Sequence, residues 1–155
     1  MFKKKIFLAL FLVVGAFSSC KRDSYDPDKQ LVIDDSLIKE FIAKNSIVAV
    51  KHSSGIYYQV INPGSGAAIS VANTVSVTYE GRLLSGSVFD KSTSAINFPL
   101  TRVIMGWQIG IPLVKTGGKI RLIIPSVLAY GNESPGAGIP KNSVLDFTVD
   151  LISAQ

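Results

Sequence analysis

The sequence contains a single cysteine and a single histidine, and this scarcity excludes most of the familiar catalytic chemistry. With Cys20 alone, no disulfide bond can form within the chain. With His52 alone, in a predicted loop, neither a zinc site of histidines and cysteines nor a histidine-based nucleophilic triad can be assembled. We therefore expect no metal, no organic cofactor and a function that needs no covalent step.

A large positive charge is also missing once the N-terminus is set aside. The whole chain has a formal net charge of +5, but residues 1–19 contain three lysines and no acidic residue. The remainder carries 13 of the 16 basic residues against all 11 acidic ones. This near balance is not the charge distribution of a nucleic-acid-binding protein, and we expect no nucleic-acid partner.

The longest apolar run, residues 6–17, is too short for a membrane span, which needs about 20 residues. Lysines occupy positions 3–5 before the run, and the small residues Ser18 and Ser19 follow it. This order is typical of a secretory signal peptide, which we predict at residues 1–19. One ordinary domain then fits in the remaining length.

Cys20 directly follows the two small residues, and this position resembles the lipobox of bacterial lipoproteins, although Phe17 stands where that motif usually has leucine. The resemblance implies a lipid-anchored Cys20 in a bacterial cell envelope, at the outer membrane or the periplasmic face, because two or more acyl chains suffice for stable anchoring. The alternative is an ordinary signal peptide cut nearby, which would leave an unpaired thiol in an oxidising compartment.

The region after Cys20 predicts a tether followed by a helix. Residues 20–33 are largely polar and suit a solvated tether. A short helix is predicted over residues 31–45, with Asp34 or Asp35 as N-cap, and the helical extension as a whole is placed at residues 34–50. Its apolar stripe must be buried against the main domain, which we favour, or against a second subunit. The stripe consists of Leu37, Ile38, Phe41 and Ile42.

From residue 47 onward the apolar pattern changes from helical to alternating, which indicates strands. Turn-forming residues at 62–66 and a turn at 115–119 separate them. The pattern predicts an antiparallel sheet with one buried face. The predicted strands comprise residues 56–61, 75–80, 83–89, 120–124 and 145–151.

Residues 103–114 are apolar without alternation, and Gly106, Gly110 and Pro112 would weaken a strand there. We predict a short helix laid across the concave face of the sheet, with Trp107 pointing into the shared core. The fold class is therefore α+β, a curved antiparallel sheet wrapped around a short α-helix, with the N-terminal helical extension added.

The candidate functional residues form an apolar, aromatic set with one carboxylate, two phenols and no nucleophile. They include Tyr79, Phe89 with Asp90, Trp107 and Tyr130. Such a set suits a cavity that reshapes a bound chain rather than one that breaks bonds, and this favours proline isomerisation. The aromatic residues could instead be plain core, and Asp90 could cap a turn.

Several sequence segments resemble segments of the FKBP-type peptidyl-prolyl cis-trans isomerases, also called macrolide-binding immunophilins, and they occur in the same order as in that family. The resemblance covers residues 51–155, which implies that these form the isomerase domain. Its segments are VSVTYEG at 75–81, GSVFDKS at 86–92, VIMGW at 103–107, GKIRLIIP at 118–125, AYG at 129–131, IP at 139–140 and LDFTVDL at 145–151.

The resemblance also implies roles for residues. Asp90, Tyr130 and Tyr79 would be the catalytic polar groups, and the backbone of Ile139 would add a polar contact. A further aromatic wall residue is assigned to Phe98, with Ile96 as the alternative. The substrate-binding residues would be Phe89, Phe98, Val103, Ile104, Trp107, Ile139 and Phe147.

The function implied by the resemblance is isomerisation of X-Pro bonds in exported proteins, a folding catalyst of the cell envelope. The expected partners are proline-containing polypeptides, macrolide inhibitors of the FKBP class, and a membrane through lipid on Cys20. Two alternatives remain open: a binding module or chaperone with little isomerase activity, and a structural surface lipoprotein that merely uses the fold.

Overall fold

The computed structural model describes residues 24–136 and 138–155. The expected signal peptide at 1–19 and the predicted anchor residue Cys20 lie outside the described residues. Among the helices of the described part, none is long and apolar enough to cross a membrane.

Seven strands of the described residues form one antiparallel sheet. Their bounds are Val50–Lys51 (β1), Tyr57–Asn62 (β2), Thr74–Leu83 (β3), Val88–Lys91 (β4), Ile96–Pro99 (β5), Lys119–Ile124 (β6) and Leu145–Ala154 (β7). The order across the sheet is β1-β2-β6-β7-β3-β4, and β5 also pairs with β3. The predicted α+β class with an antiparallel sheet is confirmed.

The alternating pattern decides which side chains of the central strands are buried. β3 and β7 pair from Val75 opposite Ala154 to Leu83 opposite Leu145. Val75 and Val77 are fully buried, whereas Ser76 between them is only half-buried. Because side chains of a strand point to opposite faces in turn, this spacing fixes the register of the pair.

The predicted short helix covers one face of this sheet. It comprises Met105–Gly110 (α2), between 3₁₀ turns at Leu100–Arg102 and Ile111–Leu113. A Cβ at Gly106 would overlap the side chain of Ile124, and one at Gly110 would lie 2.5 Å from Cδ2 of Leu122. The two glycines therefore let the helix approach β6 closely, and Trp107 is buried in the core between them, as predicted.

The opposite face of the sheet is partly covered by the long helix Pro27–Lys44 (α1). Ile38 of this helix is fully buried and belongs to a second apolar cluster with Tyr57, Ile123 and Val144. The prediction that the apolar stripe of α1 packs on the main domain is confirmed for Ile38, Phe41 and Ile42, but it is wrong for Leu37, which is 44% exposed. The expectation of only one buried face is wrong at β6, because Ile123 packs in the cluster of α1 while its neighbours pack in the cluster of α2.

The start of α1 corrects the sequence prediction. Its N-cap is Asp26, whose carboxylate accepts hydrogen bonds from the backbone N–H groups of Asp28 and Lys29, and Pro27 occupies the first helical position. Residues 27–33 of the predicted tether are therefore helical. Asp34 and Asp35 lie inside the helix and are not N-caps.

Candidate functional site

A cavity of about 300 Å³ opens beside α2, where residues of β3, β4, β5 and β7 meet. This volume is at the lower end of the range for small-ligand cavities. Most of the predicted site residues line it. The lining residues are Tyr79, Asp90, Phe98, Arg102, Val103, Ile104, Trp107, Tyr130 and Phe147.

Trp107 is the centre of an aromatic cluster in this cavity. Its ring centroid lies 5.2 Å from that of Tyr79, 5.8 Å from that of Phe98 and 5.3 Å from that of Phe147, with interplanar angles of 81° to 89°. These are edge-to-face contacts, which aromatic pairs prefer. The cluster gives the cavity a rigid apolar surface, held by one helix and three strands.

The indole Nε1 of Trp107 is the one buried side-chain nitrogen or oxygen in the described residues that lacks a hydrogen-bond partner. Buried polar atoms almost always have partners, and exceptions often occur at functional sites. The N–H group lies in the aromatic surroundings of the cluster. This unpaired donor distinguishes the cavity from ordinary core.

A phenol and a carboxylate form the polar side of the cavity. The hydroxyl of Tyr79 on β3 donates a hydrogen bond of 2.6 Å to Oδ2 of Asp90 on β4. The two strands are paired, with Asp90 opposite Gly81, which brings the side chains together. Asp90 is exposed, and Tyr79 is its hydrogen-bond partner.

The protonation of Tyr79 follows from these surroundings. Burial, then the hydrogen bond to Asp90 and the charge of that carboxylate, raise the pKa of Tyr79 to about 12. The phenol therefore keeps its proton near neutral pH and remains a donor to Asp90. The pair presents an oriented carboxylate beside an apolar surface.

Tyr130 supplies the second phenol. It follows the 3₁₀ turn Ser126–Leu128 and lines the cavity with its side chain 40% exposed. Its hydroxyl has the chemistry of a hydrogen-bond donor to a bound chain.

Two predicted site residues do not line the cavity. Phe89 on β4 lies behind the wall, with its ring centroid 5.4 Å from that of Phe147. A Cβ at Gly81 would approach both rings to 2.6–2.7 Å, so only glycine leaves room for this contact. Ile139 is buried, and its carbonyl accepts a hydrogen bond of 2.6 Å from Ser134 Oγ while its N–H donates to Gly136.

Phe98, which the sequence analysis assigned as a further aromatic wall residue, lines the cavity. Its ring contacts Tyr79 as well as Trp107, with a centroid distance of 6.0 Å to Tyr79. The alternative, Ile96, pairs with Val77 at the start of β5 and is not among the lining residues.

Arg102 lines the cavity and was not predicted. It ends the 3₁₀ turn before Val103 and is the one cationic side chain among the lining residues. Its position directly before the apolar pair at 103–104 was the available signal. It places a positive charge beside the cavity, which also contains the carboxylate of Asp90.

Two larger clefts of about 720 and 480 Å³ lie on α1 rather than beside α2. Their linings are mainly charged, amide and aliphatic side chains, with one aromatic ring each, Tyr25 and Phe41, rather than a cluster of rings. Because the smaller cavity combines an aromatic surface with converging polar groups, it is the stronger candidate.

The chain is similar to known proteins along most of the described part. A family model described as FKBP-type peptidyl-prolyl cis-trans isomerase matches residues 66–152. The FKBP-type peptidyl-prolyl cis-trans isomerase FkpA of Escherichia coli is 43% identical over 106 residues, which are 66% of this chain and 39% of that protein. FkpA of Aeromonas hydrophila is 38% identical over 133 residues, 83% of this chain and 49% of the relative.

Solved structures show the same similarity. The crystal structure of FkpA from Escherichia coli matches with a TM-score of 0.72 and 37% identity, and the match covers 83% of this chain and 62% of the FkpA chain. A peptidyl-prolyl cis-trans isomerase from Pseudomonas syringae pv. tomato matches 85% of this chain and 98% of its own, with a TM-score of 0.70 and 32% identity. The chain spans less than half the length of the curated relatives cited above.

Proposed function

Because the chain belongs to the family of FKBP-type peptidyl-prolyl cis-trans isomerases, we propose that it accelerates rotation about X-Pro peptide bonds in proline-containing polypeptides. The family resemblance inferred from the sequence is confirmed. The observation that carries the proposed activity is the aromatic cavity around Trp107, with the Tyr79–Asp90 pair at its polar side.

The chemistry required is rotation about an amide bond. Rotation must break amide conjugation, at a barrier of roughly 18–20 kcal/mol, so the uncatalysed step takes tens to hundreds of seconds. The twisted amide is less charge-separated than the planar one. An apolar cavity therefore destabilises the planar ground state more than the twisted transition state, and this difference is catalytic.

The lining side chains suit this scheme. The rings of Trp107, Phe98 and Phe147 would hold the proline ring and exclude water from the amide. Tyr130 would donate to a carbonyl of the bound chain. Tyr79 would orient Asp90, whose field acts at the reacting carbonyl. A million-fold acceleration would require about 8 kcal/mol, shared among desolvation, shape fit and these hydrogen bonds.

We extend the proposal to the location of the protein. Residues 1–19 would be a signal peptide, Cys20 a lipid anchor, and residues 51–155 the isomerase domain, with clients among the exported proteins of a bacterial cell envelope. The two small residues before Cys20 support this assignment. Mass spectrometry of the membrane-extracted protein tests it, with an acylated N-terminal Cys20 as the expected result and a free thiol as the contrary one.

A second candidate function is a binding module or chaperone of low isomerase activity. Apolar side chains on the outer surface of α1 favour it: Val32, Ile33 and Leu37 are 69%, 52% and 44% exposed. Such a surface could hold an unfolded chain without catalysis. Macrolides of the FKBP class would still bind the aromatic cavity.

Catalysis on a short X-Pro peptide separates the two candidates. The cis-to-trans relaxation rate is measured with the full chain in mild detergent, and with Tyr130→Phe and Asp90→Ala. The proposal predicts strong catalysis that both substitutions weaken. Macrolide binding without catalysis would favour the binding module instead.

A further inference from the structure

Asp34 is a fully buried carboxylate that joins α1 to the segment before Tyr130. Its Oδ2 accepts two hydrogen bonds of 2.7 Å, from the backbone N–H and from the hydroxyl of Ser126. Its Oδ1 accepts a bond of 2.8 Å from Nε2 of Gln30, one turn earlier in the helix. The side chain is 0% exposed, and the contact with Ser126 spans 92 positions of sequence.

Within the described residues, hydrogen bonds rather than an ion pair stabilise this carboxylate. Across residues 24–136 and 138–155, no cationic group forms an ion pair with Asp34, in contrast to its neighbour Asp35, which pairs with Lys39 and Lys51. A buried carboxylate is costly unless hydrogen bonds satisfy it. The hydrogen bonds from Ser126 and Gln30 therefore offset the cost of burying Asp34. They hold the three side chains tightly together.

Ser126 in turn fixes the backbone on both sides of Tyr130. Its carbonyl accepts a hydrogen bond of 2.9 Å from the N–H of Ala129 and one of 2.8 Å from the N–H of Gly131. Gly131 has φ +58°, which permits the sharp reversal that closes the second bond. Through its N–H, hydroxyl and carbonyl, Ser126 connects Asp34 to both neighbours of Tyr130.

We propose that Asp34 is a positioning residue for Tyr130: through Ser126, it holds the turn that aims the Tyr130 phenol into the cavity. This inference rests on the proposed isomerase function. It gives α1 a catalytic purpose beyond packing, because the helix supplies the group that orients a side chain of the cavity. Precise placement matters, since a small displacement of a donor weakens transition-state stabilisation.

Asp35 offers a matched control on the same helix. Its carboxylate accepts a hydrogen bond of 2.8 Å from the Tyr57 hydroxyl and pairs with Lys39 and Lys51, so it also ties α1 to the sheet, but among the described residues it forms no hydrogen bond with the Tyr130 segment. Replacing either aspartate by asparagine exchanges one carboxyl group for an amide of the same size at adjacent positions of α1. The two variants therefore separate loss of helix docking from loss of the Tyr130 turn.

The experiment compares the full chain with Asp34→Asn and Asp35→Asn, each alone and combined with Tyr130→Phe. We expect Asp34→Asn to lower kcat/KM on an X-Pro peptide about fivefold to tenfold, and Asp35→Asn less than about twofold. With Tyr130→Phe already present, Asp34→Asn should cost less than about twofold, because the group it positions has gone. Should Asp34→Asn fail to fold, Ser126→Ala, which removes only the hydroxyl donor, should give a smaller loss in the same direction.

Amide hydrogen exchange gives a second readout that does not require catalysis. Asp34→Asn should speed exchange at Ala129 and Gly131, and Asp35→Asn should not. Equal kcat/KM for the two aspartate variants, or an undiminished loss in the Tyr130→Phe background, would overturn the inference. An inactive wild-type chain would refute the proposed function instead, and unchanged exchange at the two amides would then refute the positioning role separately.

Discussion

Replacing Tyr79 by phenylalanine removes one hydroxyl from the cavity and leaves its ring in place. The ring contacts with Trp107, Phe98 and Phe147 persist, so the aromatic cluster and the fold should be retained. What is lost is the 2.6 Å hydrogen bond to Asp90. Because Asp90 is exposed and water can replace the phenol, we take the net value of the bond at about 1 kcal/mol rather than the larger value of a buried charged pair.

If Tyr79 orients Asp90 during catalysis, this free energy appears in the transition state, and kcat/KM should fall about fivefold. The assay is cis-to-trans relaxation of an X-Pro peptide at saturating and subsaturating protein. Tyr57→Phe is the matched control, because it removes a phenol–carboxylate hydrogen bond of 2.8 Å, to Asp35, away from the cavity. It should lower stability by a similar amount without changing kcat/KM.

The orienting role of Tyr79 is refuted if Tyr79→Phe keeps kcat/KM within about twofold of wild type while the peptide is still isomerised. It is equally refuted if Tyr57→Phe loses as much activity, because the loss would then come from general destabilisation.

Three further predictions concern packing, charge and pH. Gly106→Ala should lower the free energy of unfolding by about 1–3 kcal/mol in urea titrations, because the added Cβ overlaps Ile124; an increase would mean that the helical preference of alanine outweighs the overlap. Arg102→Glu should lower kcat/KM for an acidic peptide about threefold relative to kcat/KM for a neutral peptide. An unchanged ratio of the two values would exclude a role of Arg102 in steering acidic peptides. The pKa values of Tyr57 and Tyr79 are both raised to about 12, so the folded state keeps these protons to a higher pH than the unfolded chain does. The free energy of unfolding should therefore fall as pH rises from about 10 towards 12, and it should fall less steeply when both residues are phenylalanine.

The sheet and the short helix were predictable because each has a local signature. In β3 and β7 apolar residues alternate with polar ones, which is a strong period-two signal. In α2 the signal was the loss of alternation together with Gly106 and Gly110, whose purpose, the close approach to β6, only the structure shows.

The start of α1 was missed although its signals were present. Asp26 before Pro27 is an N-cap followed by a favoured first helical residue, but the polar composition of that stretch suggested a tether. The role of Asp34 could not be predicted, because its partner Ser126 is 92 positions away and no local pattern encodes such a contact.

The cavity was predicted in composition but only partly in geometry. Most of the expected residues line it, whereas Phe89 packs on Phe147 behind the wall and Ile139 is buried in the main core without lining the cavity. Sequence order gives which strand a side chain belongs to, but whether it lines a cavity or lies behind one depends on the sheet twist and on neighbours such as Gly81.

Exchange NMR on a proline peptide tests the central claim most directly. The cis and trans signals of a short X-Pro peptide are recorded with a small amount of the full chain, with and without a macrolide of the FKBP class. The proposed isomerase activity predicts exchange between the two forms on the timescale of about a second or faster, against tens to hundreds of seconds without protein, and the loss of this fast exchange when the macrolide fills the cavity. Exchange as slow as that of the free peptide would contradict it.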